Sequence, residues 1–122
     1  MKPNRPTPPD KDADLPVFVK WLEFVKWLFP ATAKFPRSVR FSLATRIEGI
    51  ALDVVEDLVT ARYDSQRHRL LQEINLRLDK LRILLRLSFR LHYLALNSYE
   101  HASRQIDETG RMLGLAQTKD EG

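Results

Sequence analysis

Cysteine is absent from this 122-residue chain, which excludes a disulfide scaffold, a cysteine-ligated zinc site and a thiol nucleophile. Glycine is scarce, with four residues in all and only Gly49 and Gly110 between Arg37 and Arg111. A Gly-rich phosphate loop is therefore missing. Proline is confined to one end, all seven lying at or before Pro36. No apolar run approaches the ~18 residues of a membrane helix, and no basic-then-apolar leader with a cleavage site opens the chain. The three histidines, His68, His92 and His101, lack metal-ligand spacing, and neither Glu-x-x-His nor His-Glu-x-x-His occurs, which argues against a di-metal carboxylate centre. No nucleophile elbow or Ser/His/Asp arrangement is present. These absences point away from an enzyme, from any cofactor or metal, from a small-molecule substrate and from a membrane. They favour a soluble, cytoplasmic protein.

What is present is helix-forming sequence with an uneven distribution of charge. The chain is 43% hydrophobic and 30% charged, enough to bury the core of one domain. Its formal charge is +4, and residues 63–96 alone carry seven basic side chains against three acidic ones. Six of those seven bases are arginine. A local excess of arginine is a footprint for polyanions, although a solvated helix face has the same composition.

Residues 1–14 read as a disordered, proline-rich extension, residues 15–116 as the domain, and residues 117–122 as a flexible tail. Four helices are expected, over about 16–29, 37–62, 65–94 and 97–114. The first starts at Asp14 and Pro16 and stops at Pro30; Trp21, Phe24, Val25 and Leu28 belong to its broad apolar face. The second places Leu43, Ile47, Ile50, Ala51, Val54 and Leu58 on one stripe, with Phe41, Leu52, Val55 and Val59 off it as a second packing surface. The third takes Asp64 or Ser65 as its cap. It carries Leu70, Leu71, Ile74, Leu78, Leu81 and Leu85 on one side. From Leu81 onward a second stripe, Ile83, Leu84, Leu87, Leu91 and Leu94, lies nearly opposite. A helix apolar on two sides must be covered on two sides, so Ile83, Leu84, Leu87 and Leu91 are expected at a contact with another copy or a partner. The fourth helix opens on an Asn97–Glu100 capping box and stops at Gly114. The fold class is all-α, an antiparallel up-down four-helix bundle.

The acidic group Asp53, Glu56 and Asp57 falls on the polar face of the second helix and reads as a solvated surface. The arginines remain. Arg82, Arg86 and Arg90 are four apart and line one edge of the third helix, and Arg69, Arg77 and Lys80 line the other flank. The planar guanidinium fork suits phosphate oxygens, so these six are the candidate nucleic-acid-binding residues, acting without base specificity. The competing reading pairs them with acids across the bundle or across a subunit contact, for which Asp107 and Glu108 are available.

Four pieces of sequence, in order, carry a resemblance. They are Lys34-Phe35-Pro36-Arg37-Ser38-Val39-Arg40-Phe41 with Leu43 and Arg46-Ile47-Glu48; Leu78-Asp79-Lys80-Leu81-Arg82-Ile83-Leu84-Leu85-Arg86-Leu87; Tyr99-Glu100-His101-Ala102-Ser103; and Asp107-Glu108-Thr109-Gly110-Arg111-Met112-Leu113-Gly114. Over roughly residues 17–116 the chain resembles the accessory variability determinant (Avd) proteins of diversity-generating retroelements. A neighbouring family, encoded in intervening sequences of large-subunit ribosomal RNA genes, has a similar bundle, and the Gly-Arg-Met-Leu-Gly ending favours the retroelement branch. The resemblance implies a four-helix bundle assembled as a basic, barrel-shaped homopentamer. It implies a non-catalytic accessory subunit that binds the element's reverse transcriptase, its template RNA and its cDNA during mutagenic cDNA synthesis. The alternative from a different class is a helical protein–protein adaptor with no nucleic-acid role.

Overall fold

The computed structural model describes residues 15–63 and 65–115. Helix α1 spans Leu15–Ala33, α2 Thr45–Ala61, α3 Arg67–Arg90 and α4 Leu96–Met112. A 3₁₀ turn at Arg37–Val39 and a π turn at Arg40–Ala44 lead into α2. No strand occurs among the described residues. Each helix packs on the next in chain order and α4 returns to α1. With connections this short, consecutive helices run antiparallel, and the result is a four-helix bundle.

The core follows from apolar residues spaced three and four apart. Val17, Trp21, Phe24 and Leu28 of α1 face Ile47, Ala51, Val54 and Leu58 of α2. Ile74, Leu78, Leu81 and Leu85 of α3 and Ala102 and Ile106 of α4 complete it. The indole Nε1 of Trp21 donates to the Ala51 carbonyl at 3.0 Å, so the largest core side chain also satisfies its one polar atom. Small buried residues, Ser88 on α3 and Thr109 on α4, return their hydroxyls to carbonyls one turn back, at Leu84 and Gln105.

Several local expectations fail. Pro30 does not end α1; the helix runs through it to Ala33. Pro30 is exposed, while Thr32 and then Phe35 continue the buried face, and the Thr32 hydroxyl donates to Glu48 of the π-turn side of α2. Packing thus outweighs one missing backbone hydrogen bond. The single helix expected over 37–62 is instead a 3₁₀ turn, a π turn and α2. The π turn takes in one residue more than an α-turn, and the Thr45 hydroxyl donates to the Arg40 carbonyl at 2.6 Å across it. Phe41 consequently leaves the packed surface and is 87% exposed.

The third helix ends at Arg90, short of Leu94. His92 adopts φ 68°, with His92 N–H on the Phe89 carbonyl and Tyr93 N–H on Ser88, the paired bonds of a left-handed helix stop. Leu94, assigned to the second stripe, therefore lies beyond the helix and is buried in the core. Ser65 does not cap α3, whose N-cap Gln66 makes no side-chain capping bond; Asp64 lies outside the described residues. The capping box is also absent, because α4 starts two residues earlier than it requires, from Ala95 in extended conformation, with no side-chain cap. Its other end matches expectation: Gly114 is left-handed at φ 73°, and the chain stops there by the same pair of bonds as at His92. The proline-rich segment 1–14 and the tail 117–122 lie outside the described residues.

Candidate nucleic-acid interface

The six basic residues singled out from the sequence divide into two groups. Arg77 and Arg82 are engaged within the chain. Arg77 Nη1 donates to Asp57 Oδ2 at 2.5 Å, with Asp53 and Glu73 each 3.9 Å away. Arg82 reaches Asp79 on its own helix at 2.6 Å and Asp107 of α4 at 3.0 Å. These two arginines tie α3 to α2 and to α4, so the ion-pair reading holds for them within one chain. Arg69, Lys80, Arg86 and Arg90 are exposed, with no ion pair to any carboxylate among the described residues.

The acids around Arg77 are not a plain solvated surface, because Asp57 is substantially covered. Burial raises its carboxyl above the ordinary value; Arg77 opposes this, and Glu73 and then Asp53 add to it. A raised carboxylate releases its proton less readily in the folded chain than in the unfolded one. Stability from this group is therefore fully present below the ordinary carboxylate value and is lost as pH rises through the raised one. Asp57→Asn removes the titration. Urea unfolding of both proteins between about pH 7 and pH 4 should show the wild type gaining relative to the variant as pH falls. A difference that is flat, or of opposite slope, removes this account of the seam.

Antiparallel packing brings the start of α2 beside the end of α3. Arg46 and Ile50 share a groove of about 430 Å³ with Lys80, Ile83 and Leu84, and at the same end Phe35 meets Tyr93 with ring centroids 5.8 Å apart. Lys34, Arg37, Arg40 and Arg46 therefore lie toward the same end of the bundle as Arg86 and Arg90, and Lys80, midway along α3, meets Arg46 across the groove. All seven are exposed, and none pairs with an acid among the described residues. The first four are not among the residues singled out from the sequence, where only residues 63–96 stand out by charge. A window over 34–46, which holds four cations and no acid, carries the signal that was missed. Arg69 lies toward the opposite end.

The apolar stripe borders this basic end. Ile83 is 62% exposed, and Leu87 and Leu91 44% each. Leu84 is half-buried against the core. Three of the four residues expected at a contact thus present bare hydrocarbon to solvent in the single chain.

The histidines are dispersed: His101 packs tilted against Trp27 with ring centroids 4.7 Å apart, His68 contacts Gln72, and His92 forms the helix stop. No group of three or more His, Asp or Glu residues is placed to hold a metal ion among the described residues. No helix among them is long and apolar enough to cross a membrane.

No curated protein matches the chain. A family model does, the bAvd-like family, over residues 17–119. That span takes in α1 from Val17 onward, the other three helices, the π turn, the basic end and the bare stripe of α3. The chain therefore belongs to the bAvd-like family.

Proposed function

We propose that this protein is a non-catalytic accessory subunit of a diversity-generating retroelement, binding nucleic acid and the element's reverse transcriptase to support mutagenic cDNA synthesis. The family supports the retroelement setting, and the carrying observation for nucleic acid is the cluster of exposed, unpaired cations at one end of the bundle. Lys80, Arg86 and Arg90, with Lys34, Arg37, Arg40 and Arg46, hold template RNA or cDNA through phosphate contacts. Arg77 and Arg82 serve mainly to lock the helices, and Arg69 adds to the field from the far end. Ile83, Leu84, Leu87 and Leu91 bury against a second copy, giving a closed homo-oligomer, for which five is the number the family resemblance implies. No cofactor takes part.

The adaptor reading is favoured by one observation, the intrachain pairing of Arg77 and Arg82. A single experiment separates the two. Arg86→Glu combined with Arg90→Glu alters two exposed positions and leaves the core alone. RNA affinity of the double variant, measured by fluorescence anisotropy against salt, should fall more than about 10-fold at low salt. Its log–log salt slope should be shallower by roughly 1.5 per chain, the loss of two phosphate contacts. Wild-type protein that shows no salt-dependent RNA binding, or a variant that matches it in affinity and slope, leaves the adaptor reading in possession.

A further inference from the structure

We propose that Phe41 and the hollow beside it form a stacking site for one unpaired nucleobase, so that the basic end prefers single-stranded to double-stranded nucleic acid. The inference rests on the nucleic-acid reading above and assigns it a site on a segment outside α3.

The π turn sets the site up. It ejects Phe41 from the packed face and leaves the ring 87% exposed, the most exposed large apolar side chain described. Placing a ring in water forfeits the burial that a position on the packed face of this segment would supply. The ring stands over a hollow of about 310 Å³, shared with Ser42, Thr45, Arg46, Gly49 and Asp53. The size is at the lower end of small-ligand sites, ~300–1,000 Å³. Its depth comes from Gly49: a Cβ built there meets nothing within 4 Å, so the glycine is not demanded by helix packing. It also lies in the interior of α2, where glycine is the weakest ordinary helix former. A residue that weakens its helix and relieves no clash leaves an opening beside an exposed ring.

Chemistry selects the occupant. An aromatic face accepts any base by stacking, and cations around it accept the adjoining phosphates. Arg46 is on the rim. Lys34, Arg37 and Arg40 are exposed on the segment leading into it, and no acid interrupts residues 34–46. The Asp53 carboxylate, half-exposed beside Arg77, can accept from an exocyclic amine of the stacked base. In a duplex the bases are stacked on each other and their faces are unavailable, so only a single strand reaches both the ring and the cations.

The test uses full-length protein, a single-stranded RNA of ~8 nucleotides containing 2-aminopurine, and a duplex of the same length. Phe41→Ala should weaken single-strand binding by between about 5- and 150-fold. Duplex binding and the salt slope should stay unchanged, and the quenching of 2-aminopurine on binding should be lost. Gly49→Leu, which fills the hollow without touching the core, should do the same while raising the thermal midpoint. Equal losses for single strand and duplex, or undiminished quenching in both variants, overturn the stacking site while leaving the basic end standing. A shift of the assembly toward smaller species in Phe41→Ala, with the single-strand preference retained, shows that the ring seats a second copy instead. Wild type that binds neither probe overturns the nucleic-acid reading itself, and the stacking site with it.

Discussion

Ile83→Asp combined with Leu87→Asp should leave a folded, helical monomer where the wild type is expected to assemble. Both side chains are largely exposed within one chain, so aspartate at either position meets water and costs the bundle little. In an assembly each is buried, at about 1.5–3 kcal/mol for a side chain of this kind. Two such losses per chain weaken a contact by roughly 100- to 10,000-fold, before the cost of burying an unpaired carboxylate is added. Sedimentation velocity at micromolar concentration reads the outcome directly. Circular dichroism should give the same helix content for both proteins. If the wild type sediments as a monomer, or the double variant assembles as well as the wild type, the bare stripe of α3 is not the contact between copies.

Trp21→Ala should be among the most destabilising single substitutions in the chain, costing about 3–5 kcal/mol. Trp21 is fully buried, sits with its ring centroid 4.9 Å from that of Phe24, and donates its only N–H to the Ala51 carbonyl of α2. Truncation opens a cavity between α1 and α2 and removes that tie. Against the ~5–15 kcal/mol available to a domain of ordinary stability, this is a large share. Trp21→Phe keeps most of the volume and loses the hydrogen bond, and should cost nearer 1–2 kcal/mol. The Ala51 carbonyl is in the interior of α2 and still has its helical donor. Urea unfolding at fixed protein concentration compares the three. A Trp21→Ala variant within about 1 kcal/mol of wild type would contradict the close packing of α1 on α2.

The comparison of sequence with structure divides along a physical line. The four helices and their buried faces were legible because burial repeats every three or four residues: Val17, Trp21, Phe24 and Leu28 announce α1, and Leu70 to Leu85 announce α3. Events set by tertiary contacts were not. Pro30 reads as a stop until the burial of Thr32 and its bond to Glu48 are known. The π turn has no sequence signature, so Phe41 reads as one edge of a regular helix. A non-glycine residue in a left-handed turn is uncommon, although histidine is among those that tolerate it, so His92 gives no clear stop in the sequence; the turn there lets the chain bring Leu94 into the core. The candidate interface shows the same limit. Periodicity located the arginines of α3 correctly on its two flanks and left Asp107 available to them, which Arg82 meets, but it gave no sign that Asp57, on what reads as a solvated face of α2, closes on Arg77. Which arginines are neutralised by a neighbour is decided by the fold.

If copies close into a ring and hold nucleic acid as proposed, the seven unpaired cations toward one end of the bundle link the two events thermodynamically. In a cyclic assembly every copy holds this end in the same relation to the symmetry axis, so equivalent positive charges are brought near one another. That repulsion opposes closure at low ionic strength and fades as salt screens it over a length of ~8–10 Å. A bound nucleic acid removes the same repulsion by supplying the missing negative charge. It then binds the closed form more tightly than the open one, and by reciprocity a closed form binds it more tightly than a single chain does. The polyanion becomes a component of the assembly's stability, and an apparent subunit number measured without it describes the more weakly held of two states.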